Sequence, residues 1–334
     1  SVILSLDFLV SFAGEVGEIG KANYSYWQAF IYVALRTPQK IYEIFPMIAV
    51  LGTMLGLGTL ASNHELTAIR AAGVSLLRLI GSVLKTAAII TAVAIFIGEV
   101  IAPPAVQYAK LSRVRAIEHL ISLNTDYGLW ARDGDTYIHV RRVEHDGRLI
   151  GINLYVFDEF HSLRETFQAR SAEYKEGDWL LQNVEHKKIT ADGISKTSVD
   201  TMKWKTLLKP DIVSIVSVSP ENLSLWRLHG YIDYLKDNHL DAKHYELSFW
   251  IKVFSPLTIT AMMFLAIPFI FGNMRGIGAG QRVFVGFLIG LTFFILSRLI
   301  GQAGLVYTDY PLLPASLPTL IVMGVGIFLM RRVR

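Results

Sequence analysis

Residues 44–75 read IFPMIAVLGTMLGLGTLASNHELTAIRAAGVS. The first half of this stretch is predominantly apolar, and about 20 such residues suffice to cross a bilayer as a helix. After it, Ser62 is followed three residues later by Glu65, which is the spacing of a capping box at a helix N-terminus. Gly73 fits a helix C-terminus, and Ser75 can cap the next helix. The stretch therefore predicts a membrane span, a short separate helix over about residues 62–72, and a second span.

The composition points to an integral membrane protein. The chain has 334 residues, a mean hydropathy of +0.41 and 18% charged residues, against about 25% in soluble domains. The charges are concentrated between about residues 107 and 246, so we expect one large water-exposed domain. No cysteine is present, which excludes disulfides, thiolate metal sites and cysteine nucleophiles. The net charge of +4 fits contact with anionic membranes and is too small to indicate nucleic-acid binding.

Six apolar stretches are candidate membrane spans, and they divide the chain into three parts. Residues 1–106 would hold spans one to three, residues 107–246 the polar domain, and residues 247–334 spans four to six. We expect the first stretch to be the end of a membrane helix whose start is missing from the sequence. The six candidates lie near residues 1–13, 44–61, 79–102, 251–272, 283–306 and 312–330.

Basic residues in the short loops predict the orientation of these spans, because they are enriched on the cytoplasmic side. Lys21, Arg36 and Lys40 lie in the one sizeable short loop on one side, where three glutamates offset them. The other side has Glu65 as its one acid, together with the arginines Arg70, Arg78, Arg275, Arg282, Arg331, Arg332 and Arg334. That side is therefore predicted to be cytoplasmic, and the polar domain is predicted to lie outside.

The polar domain has the alternation of β-strands. Apolar residues occupy every second position in segments such as LIGINLYVF, and glycine-containing turn signals recur at intervals of about ten residues. Over about residues 127–218 this pattern predicts a two-sheet sandwich or jelly roll. Ser219 and Pro220 then fit the N-cap and first position of a helix that leads to span four.

No catalytic motif accompanies these elements. EVGEIGKAN contains a Gly-Lys pair but lacks the upstream glycine and the hydroxyl residue of a Walker A motif. His64 and Glu65 resemble the start of a zinc-protease motif, but Ala68 stands where the second histidine is required. The nine histidines show no metal-ligand spacing. A membrane protein with no ATP site and a separate cytoplasmic helix suggests a permease driven by a separate ATPase, and Glu65 is then either a helix cap or a docking contact.

Basic residues at the outer ends of the spans are candidates for binding phosphate. Lys110 and Arg113 are three residues apart and so share a helix face, while Lys21, Arg36 and Lys40 lie in the first outer loop. Long basic side chains also anchor helices by reaching the lipid headgroups, so both interpretations stay open. Arg298 is added to this set because an ionisable residue inside a span usually faces a cavity or a partner helix.

The chain resembles the lipopolysaccharide-export permeases of Gram-negative bacteria, the LptF/LptG family, and within it the LptG branch. The resemblance covers essentially the whole chain. It rests on residues 44–75 together with GEVIAPPAVQYAKLSRVRA, YGLWARDGDTYIHV and FIFGNMRG, in this order around the strand-rich domain. It implies a multi-pass protein of the inner membrane, with six transmembrane helices and a periplasmic β-jellyroll between the third and fourth.

The resemblance also implies a function and partners. The chain would act with an LptF-type permease subunit, an LptB-type ATPase dimer and an LptC-type membrane-anchored periplasmic protein. Together they would extract lipopolysaccharide from the outer leaflet of the inner membrane and pass it to a periplasmic bridge. ATP and magnesium would bind at the ATPase, with no cofactor on this chain. The helix near residues 62–72 matches the family's coupling helix, and its predicted contacts are Glu65, Leu66, Ile69 and Arg70.

Family members contact lipid phosphates from the outer ends of two spans. Lys110 and Arg113 match these positions on span three. At the end of span one, relatives carry basic residues where this chain has Glu15 flanked by glycines, so Lys21 and Lys40 would have to replace them. The resemblance therefore implies a phosphate site that is complete on span three and altered on span one.

Two other functions remain compatible with the sequence. A non-transporting membrane scaffold or sensor would use the outer domain to bind a ligand or partner, and would have no ATPase at the short helix. A membrane enzyme acting on lipid would need a convergent acid, base or metal site, and none is visible in the sequence.

Overall fold

The computed structural model describes residues 2–21, 24–117, 129–144, 147–158, 162–175, 177–190, 193–206, 219–271 and 278–332. Arg275, Arg334 and parts of the motifs YGLWARDGDTYIHV and FIFGNMRG lie outside these ranges. A π-helical turn, Ile97–Ile101, joins α4 to α5, and a 3₁₀ turn, Pro220–Asn222, precedes α6. The α-helices are α1 (Val2–Val16), α2 (Tyr26–Ser62), α3 (Glu65–Ala71), α4 (Leu76–Phe96), α5 (Ala102–Ile117), α6 (Leu225–Asp237), α7 (Lys243–Phe271), α8 (Ala279–Tyr307) and α9 (Leu312–Arg332).

Five helical segments in the described ranges are long and apolar enough to cross a membrane. Four of them are the single helices α2, α7, α8 and α9, and the fifth runs from Leu76 through α4 to Arg113 in α5. Helix α1 has 15 residues and is therefore about 22 Å long, against a hydrocarbon thickness of about 30 Å. Five of the six predicted spans are thus present as suitable helices. The remaining span, the first in the chain, stays a prediction that rests on α1.

Helix α2 begins well before the predicted span, and this corrects the position of Arg36 and Lys40. Ser25 Oγ accepts a hydrogen bond from the Gln28 amide at 3.4 Å, and Gln28 Oε1 accepts one from the Ser25 amide at 2.9 Å. These two bonds form a capping box. Arg36 and Lys40 therefore lie on a helix and not in a loop. The loop prediction was wrong because polar residues in the first part of α2 interrupt the apolar pattern of a span.

The short helix α3 is shorter than predicted and begins differently. The Ser62 hydroxyl donates to carbonyl groups one turn back, at 3.1 and 3.0 Å, and so belongs to the last turn of α2. His64 precedes α3 with a left-handed φ of 60° and makes no side-chain cap. The Glu65 carboxylate accepts from Asn63 Nδ2 at 3.2 Å. The predicted capping box between Ser62 and Glu65 is therefore wrong, because the preceding helix uses the serine hydroxyl.

The predicted end of α3 is confirmed. Gly73 has a φ of 86°, in the left-handed region that favours glycine after a helix. Its amide donates to the Arg70 carbonyl at 3.0 Å. Ser75 Oγ then accepts from the Arg78 amide at 3.4 Å, so Ser75 caps α4 as expected.

The polar domain contains a six-stranded antiparallel sheet whose strands lie in chain order. Its buried face is built from every second residue of the central strands, for example Ile138 and Val140, or Ile152 and Leu154. The described part of the domain shows this one sheet, and the two-sheet jelly roll stays a prediction. The strands are β1 (Leu129–Asp133), β2 (Thr136–Val143), β3 (Leu149–Phe157), β4 (Leu163–Lys175), β5 (Asp178–Thr190) and β6 (Gly193–Trp204).

Helix α6 covers the buried face of the sheet. The helix predicted to start at Ser219 begins later, because residues 220–222 form the 3₁₀ turn and Ser224 is the N-cap of α6. The Tyr234 hydroxyl of α6 donates to the Arg132 carbonyl of β1 at 3.1 Å. The α6 residues in the sheet core are Leu228, Tyr231, Ile232, Tyr234 and Leu235. The six strands and α6 therefore form one packed unit, which we call the sheet domain.

Candidate functional site

The membrane helices have two ends that differ in what they contact. At the sheet-side end, Gln39 Nε2 of α2 donates to the Glu221 carbonyl just before α6, at 3.1 Å. At the far end, α2 stops at Ser62 and is followed by α3. A helix rises about 35 Å from Gln39 to Ser62. The sheet domain and α3 therefore lie about one bilayer thickness apart.

Arg113, predicted to bind phosphate, is paired with a carboxylate of the chain itself. Its Nε atom lies 2.8 Å from Glu15 Oε2 of α1, and the Tyr24 hydroxyl donates to the same oxygen at 3.0 Å. Burial, together with this hydrogen bond, raises the pKa of Tyr24, so the hydroxyl stays a neutral donor. Any other anion that binds Arg113 through Nε therefore competes with Glu15.

Positive charge is nevertheless concentrated around Arg113. The guanidinium groups of Arg36 and Arg113 lie 5.3 and 5.4 Å from the centre of the Tyr32 ring, within the range of cation–π attraction. Lys110, one turn before Arg113, lies close enough to Arg36 and to the Glu221 carboxylate for their charges to interact. Among the described residues Lys110 has no carboxylate within ion-pair distance. We call Arg36, Lys110 and Arg113 the basic rim.

Lys21 and Lys40 are both paired with nearby acids. Lys21 Nζ lies 2.8 Å from Glu18 and Lys40 Nζ lies 3.1 Å from Glu43, each three residues away in sequence. The hydrogen bond from Lys21 lowers the pKa of Glu18. Exposed pairs of this kind are screened by water and contribute little to stability. Both lysines can therefore exchange their carboxylates for another anion at little cost.

A cavity of about 270 Å³ lies between α2, α7, α8 and α9. Its apolar walls include Met47, Ile251 and Phe294. Arg298 lines the same cavity, with its guanidinium 5.7 Å from the centre of the Phe294 ring. This position agrees with the expectation that an arginine inside a span faces a cavity or a partner helix.

The sheet-side end of the cavity is polar. It is lined by Gln39, Glu43, Glu221 and His244, and His244 lies 3.6 Å from the Glu221 carboxylate. The Gln39 side chain is buried, and its Oε1 atom accepts no hydrogen bond from the described residues. A cavity with apolar walls and polar groups at one end suits an amphiphile with its headgroup towards the sheet domain.

An ion pair that sequence reasoning missed lies in the cavity wall. Lys252 Nζ of α7 lies 2.9 Å from Glu99 Oε1 of the π-helical turn, and the two side chains are 4% and 17% exposed. Glu99 Oε2 accepts from the Leu225 amide, the first of α6, at 2.6 Å. The available signal was the single lysine in the apolar run SFWIKVFSP, because a charge inside a span needs a partner.

The predicted coupling residues divide into two groups. Glu65, Ile69 and Arg70 are exposed on α3 at the far end. Leu66 is only 4% exposed, and it packs in a cluster with Val83 of α4 and residues of α7. Leu66 therefore holds α3 against the membrane helices, and the face free to meet another protein is formed by the other three.

The structure does not bring the five predicted lipid contacts together. Lys110 and Arg113 lie in the basic rim, Lys21 and Lys40 in separate pairs, and Arg298 in the cavity. Sequence reasoning named Arg36 among the basic residues of the first outer loop but did not include it in the five predicted lipid contacts. No local pattern could have indicated that its neighbours would come from α5.

Comparison with known proteins gives one consistent result. Residues 1–332 match the family model described as lipopolysaccharide export system permease LptF/LptG. A protein named lipopolysaccharide export system permease protein LptG from Haemophilus influenzae is 35% identical, over 99% of this chain and 93% of its own length. The protein of the same name from Escherichia coli K12 is 34% identical over the same shares. The chain therefore belongs to the LptF/LptG family of lipopolysaccharide export system permeases.

Proposed function

We propose that the chain is the LptG-type permease subunit of an ATP-driven transporter. It takes lipopolysaccharide from the outer leaflet of the inner membrane and passes it into its own sheet domain. The observation that carries the proposal is the match over residues 1–332 to a permease family. The chain also has a cavity with mostly apolar walls, in which Lys252 and Arg298 are charged, and with a polar sheet-side end. Lipopolysaccharide has the same division, because its acyl chains adjoin phosphorylated sugars.

In this proposal the far end is cytoplasmic and the sheet domain is the family's periplasmic β-jellyroll. Arg282 packs against Gly58 near the end of α2, which adds it to Arg70 and Arg78 at the far end. Such an excess of arginine supports a cytoplasmic location. Helix α1 completes the set of six spans as the first span in the chain. Its exposed apolar side chains, such as Val10, support this because they need lipid or another helix around them.

The basic rim is the proposed site for the lipid phosphates. Lys110 and Arg36 are available for charge-assisted hydrogen bonds, and Arg113 joins them when a phosphate displaces Glu15. Lys21 and Lys40 add further cations once they leave their own carboxylates. Acyl chains lie against the apolar cavity walls, where Arg298 meets a phosphate or a polar group of the second permease subunit.

Helix α3 is the proposed coupling element. Its exposed residues Glu65, Ile69 and Arg70 dock on an LptB-type ATPase dimer, which binds ATP and magnesium. Leu66 transmits the movement, because it packs on α4 and α7, and α7 forms part of the cavity wall. An LptF-type subunit completes the cavity, and an LptC-type protein continues the periplasmic path.

Replacing Glu65 tests this function in the complex with its permease and ATPase partners. In Glu65→Ala we expect ATPase co-purification and ATP-dependent lipopolysaccharide release to fall, by about tenfold or more if Glu65 is a principal contact. Thr67→Ala, at an exposed position on the same helix, is the matched control and keeps both. Normal co-purification and release in Glu65→Ala would contradict the docking role. If no ATPase co-purifies with the unaltered chain, a scaffold or sensor becomes the better description.

A further inference from the structure

One carboxylate joins the membrane cavity to the sheet domain. Glu99 uses its two oxygens for different elements: Oε1 contacts Lys252 Nζ of α7 at 2.9 Å, and Oε2 accepts from the Leu225 amide of α6 at 2.6 Å. Helix α7 forms part of the cavity wall, whereas α6 belongs to the sheet domain. Glu99 therefore lies where the two parts of the protein meet.

The N-terminus of α6 depends on this contact. Ser224 is its N-cap residue but makes no side-chain cap, although the first amides of a helix need partners outside it. Glu99 supplies an acceptor from 126 residues away, and a carboxylate is also favoured at the positive end of the helix dipole. The N-terminus of α6 is therefore held in part by a side chain of the membrane region.

Helix α6 is in turn bonded to the sheet. At its other end Asn238 Oδ1 accepts from the Gly134 amide at 3.0 Å, and along it Tyr234 bonds to the β1 backbone. Its apolar face is buried in the sheet core.

Other contacts cross the same junction: Gln39 bonds to Glu221 in the 3₁₀ turn, and α6 packs on α7 through the Tyr231–Tyr245 ring contact and the Lys236–Glu246 ion pair. The Glu99 contact differs from these because it ends on the first amide of α6. A displacement of Glu99 therefore acts on α6, and through α6 on the sheet.

On the membrane side, Glu99 is held by residues of the cavity wall. Lys252 lines the cavity, and its ammonium lies 5.6 Å from the centre of the Tyr42 ring, which also lines it. The same ring packs against Gly98, where a Cβ atom would overlap it. Gly98 and Glu99 are successive residues of a π-helical turn, an irregularity often found at functional sites. A change in cavity width therefore acts directly on Glu99.

We propose that Glu99 is a positioning residue that passes movement of the cavity walls to the sheet domain during lipid release. Lys252 fixes one oxygen of Glu99, so that the other stays directed at the first amide of α6. This role rests on the proposed transport function. It adds to that function a defined link between movement of the cavity walls and passage of the lipid into the sheet domain.

Two double variants separate the effect of the hydrogen-bond acceptor at position 99 from the effect of the ion pair between Glu99 and Lys252. Glu99→Leu with Lys252→Met removes both charges and the acceptor, and apolar replacement of a buried pair is often tolerated by the fold. Glu99→Gln with Lys252→Met also removes both charges but keeps an oxygen for the Leu225 amide. Lys243→Met is the matched control, since it removes the exposed Lys243–Asp309 pair from the same helix α7.

Two measurements follow each variant in the complete complex. The first is the spin-label distance between Val199→Cys on β6 and Leu320→Cys on α9, two exposed positions in a chain without cysteine. The second is the lipopolysaccharide released per ATP hydrolysed. In the Leu/Met variant we expect a broadened distance distribution and a coupling ratio lower by about tenfold, a common size for coupling between sites. The Gln/Met variant should lose clearly less in both values than the Leu/Met variant, because it keeps the acceptor for the Leu225 amide and lacks only the lysine that orients it. The Lys243→Met control should keep both values near those of the unaltered protein.

The outcomes separate this role from simple stabilisation. The proposal would be overturned if the coupling ratio fell equally in the Leu/Met and Gln/Met variants, because only the Leu/Met variant lacks the acceptor. It would also be overturned if Lys243→Met broadened the distance distribution as much as the Leu/Met variant does. A distribution unchanged in Leu/Met would overturn it as well. If the unaltered complex releases no lipid, it is the transport function that fails, while the distance measurement still decides whether Glu99 holds the sheet domain.

Discussion

Glu15 controls how much positive charge the basic rim presents. It lies 2.8 Å from Arg113 and also accepts from Tyr24, so it neutralises one of the three cations of the basic rim. The Glu15 side chain is only 13% exposed, and water therefore screens this pair less than a surface pair. A lipid phosphate that uses Arg113 has to replace this carboxylate.

Changing Glu15 to glutamine should strengthen binding of a phosphorylated headgroup. The amide still accepts from Tyr24 but no longer carries charge, so Arg113 becomes available. We expect affinity for lipopolysaccharide in nanodiscs to rise roughly fivefold, which corresponds to about 1 kcal/mol. Glu18→Gln is the control and should change affinity less, because Glu18 accepts a hydrogen bond from the exposed Lys21 and reaches Arg113 only through a weaker, longer-range charge interaction. Unchanged or weaker binding in Glu15→Gln would exclude Arg113 as a phosphate contact.

Helix α3 shows how an element too short to be stable alone is held in place. It has seven residues, whereas isolated helices below about 12 residues are marginal in water. The packing of Leu66 against α4 and α7 supplies the missing stability. At the same time it leaves Glu65, Ile69 and Arg70 exposed. Anchoring and docking are thus carried by different residues of one helix.

Leu66→Ala and Ile69→Ala should therefore have different effects. Removing the buried leucine should cost about 2–4 kcal/mol and increase hydrogen exchange of the α3 amides. Removing Ile69, which is 36% exposed, should leave exchange unchanged and weaken only ATPase binding. Hydrogen-exchange mass spectrometry of the purified complex measures the first effect, and co-purification measures the second. Similar exchange in both variants would mean that Leu66 does not anchor α3.

Helix α6 should make the sheet domain sensitive to alkaline pH. Burial, and to a lesser extent Asp133, raises the pKa of Tyr234 to about 12, against about 10 for an unfolded tyrosine. The folded state therefore holds this proton more tightly. Its contribution is complete below pH 10 and is lost as the pH rises from about 10 to 12.

Tyr234→Phe tests this dependence. Thermal unfolding followed by circular dichroism should show a smaller fall in stability between pH 10 and 12 for the variant than for the unaltered protein. Some dependence should persist, because burial also raises the pKa of Tyr231. Tyr137→Phe, at a tyrosine that is 36% exposed on β2, is the control. Equal slopes for all three proteins would show that Tyr234 does not contribute.

Across the whole molecule, the membrane helices differ in how far the rest of the chain encloses them. The apolar part of α7 is 56% buried and that of α8 only 11%. Helix α7 is thus the centre of the helical region, and α8 lies at its surface. Since α8 also carries the exposed Arg298, the face with this residue is unsuited to lipid contact. This is the face on which a second permease subunit would lie.

Fluorescent labelling of Ile295→Cys should detect that subunit. Ile295 is 48% exposed and lies one turn from Arg298 on α8. In the isolated chain, brominated lipids should quench a label at this position, and addition of the LptF-type subunit should protect it. A label at Leu320→Cys on α9, 55% exposed, should be quenched in both states. Equal quenching at Ile295 with and without the second subunit would place the interface elsewhere.

The sequence alone determined which segments are apolar enough to span a membrane and which part of the chain forms strands. Both depend on local composition, because a bilayer requires about 20 apolar residues and a half-buried strand alternates every second residue. Local rules also placed the end of α3 at Gly73 and the cap of α4 at Ser75. The same rules failed at Ser62, because its hydroxyl could serve either of two neighbouring helices, and the true end of α2 decided between them.

Only the tertiary structure decided which charges are paired. Glu15 and Arg113 are 98 residues apart in sequence, and Glu99 and Lys252 are 153 apart. The free energy of an ion pair depends on distance and burial in space, and neither is encoded in the periodicity of one helix. The basic residues of the candidate site were therefore readable from the sequence. Glu15 as the partner that restrains Arg113, and Glu99 as the link between cavity and sheet domain, became visible only once the helices were packed.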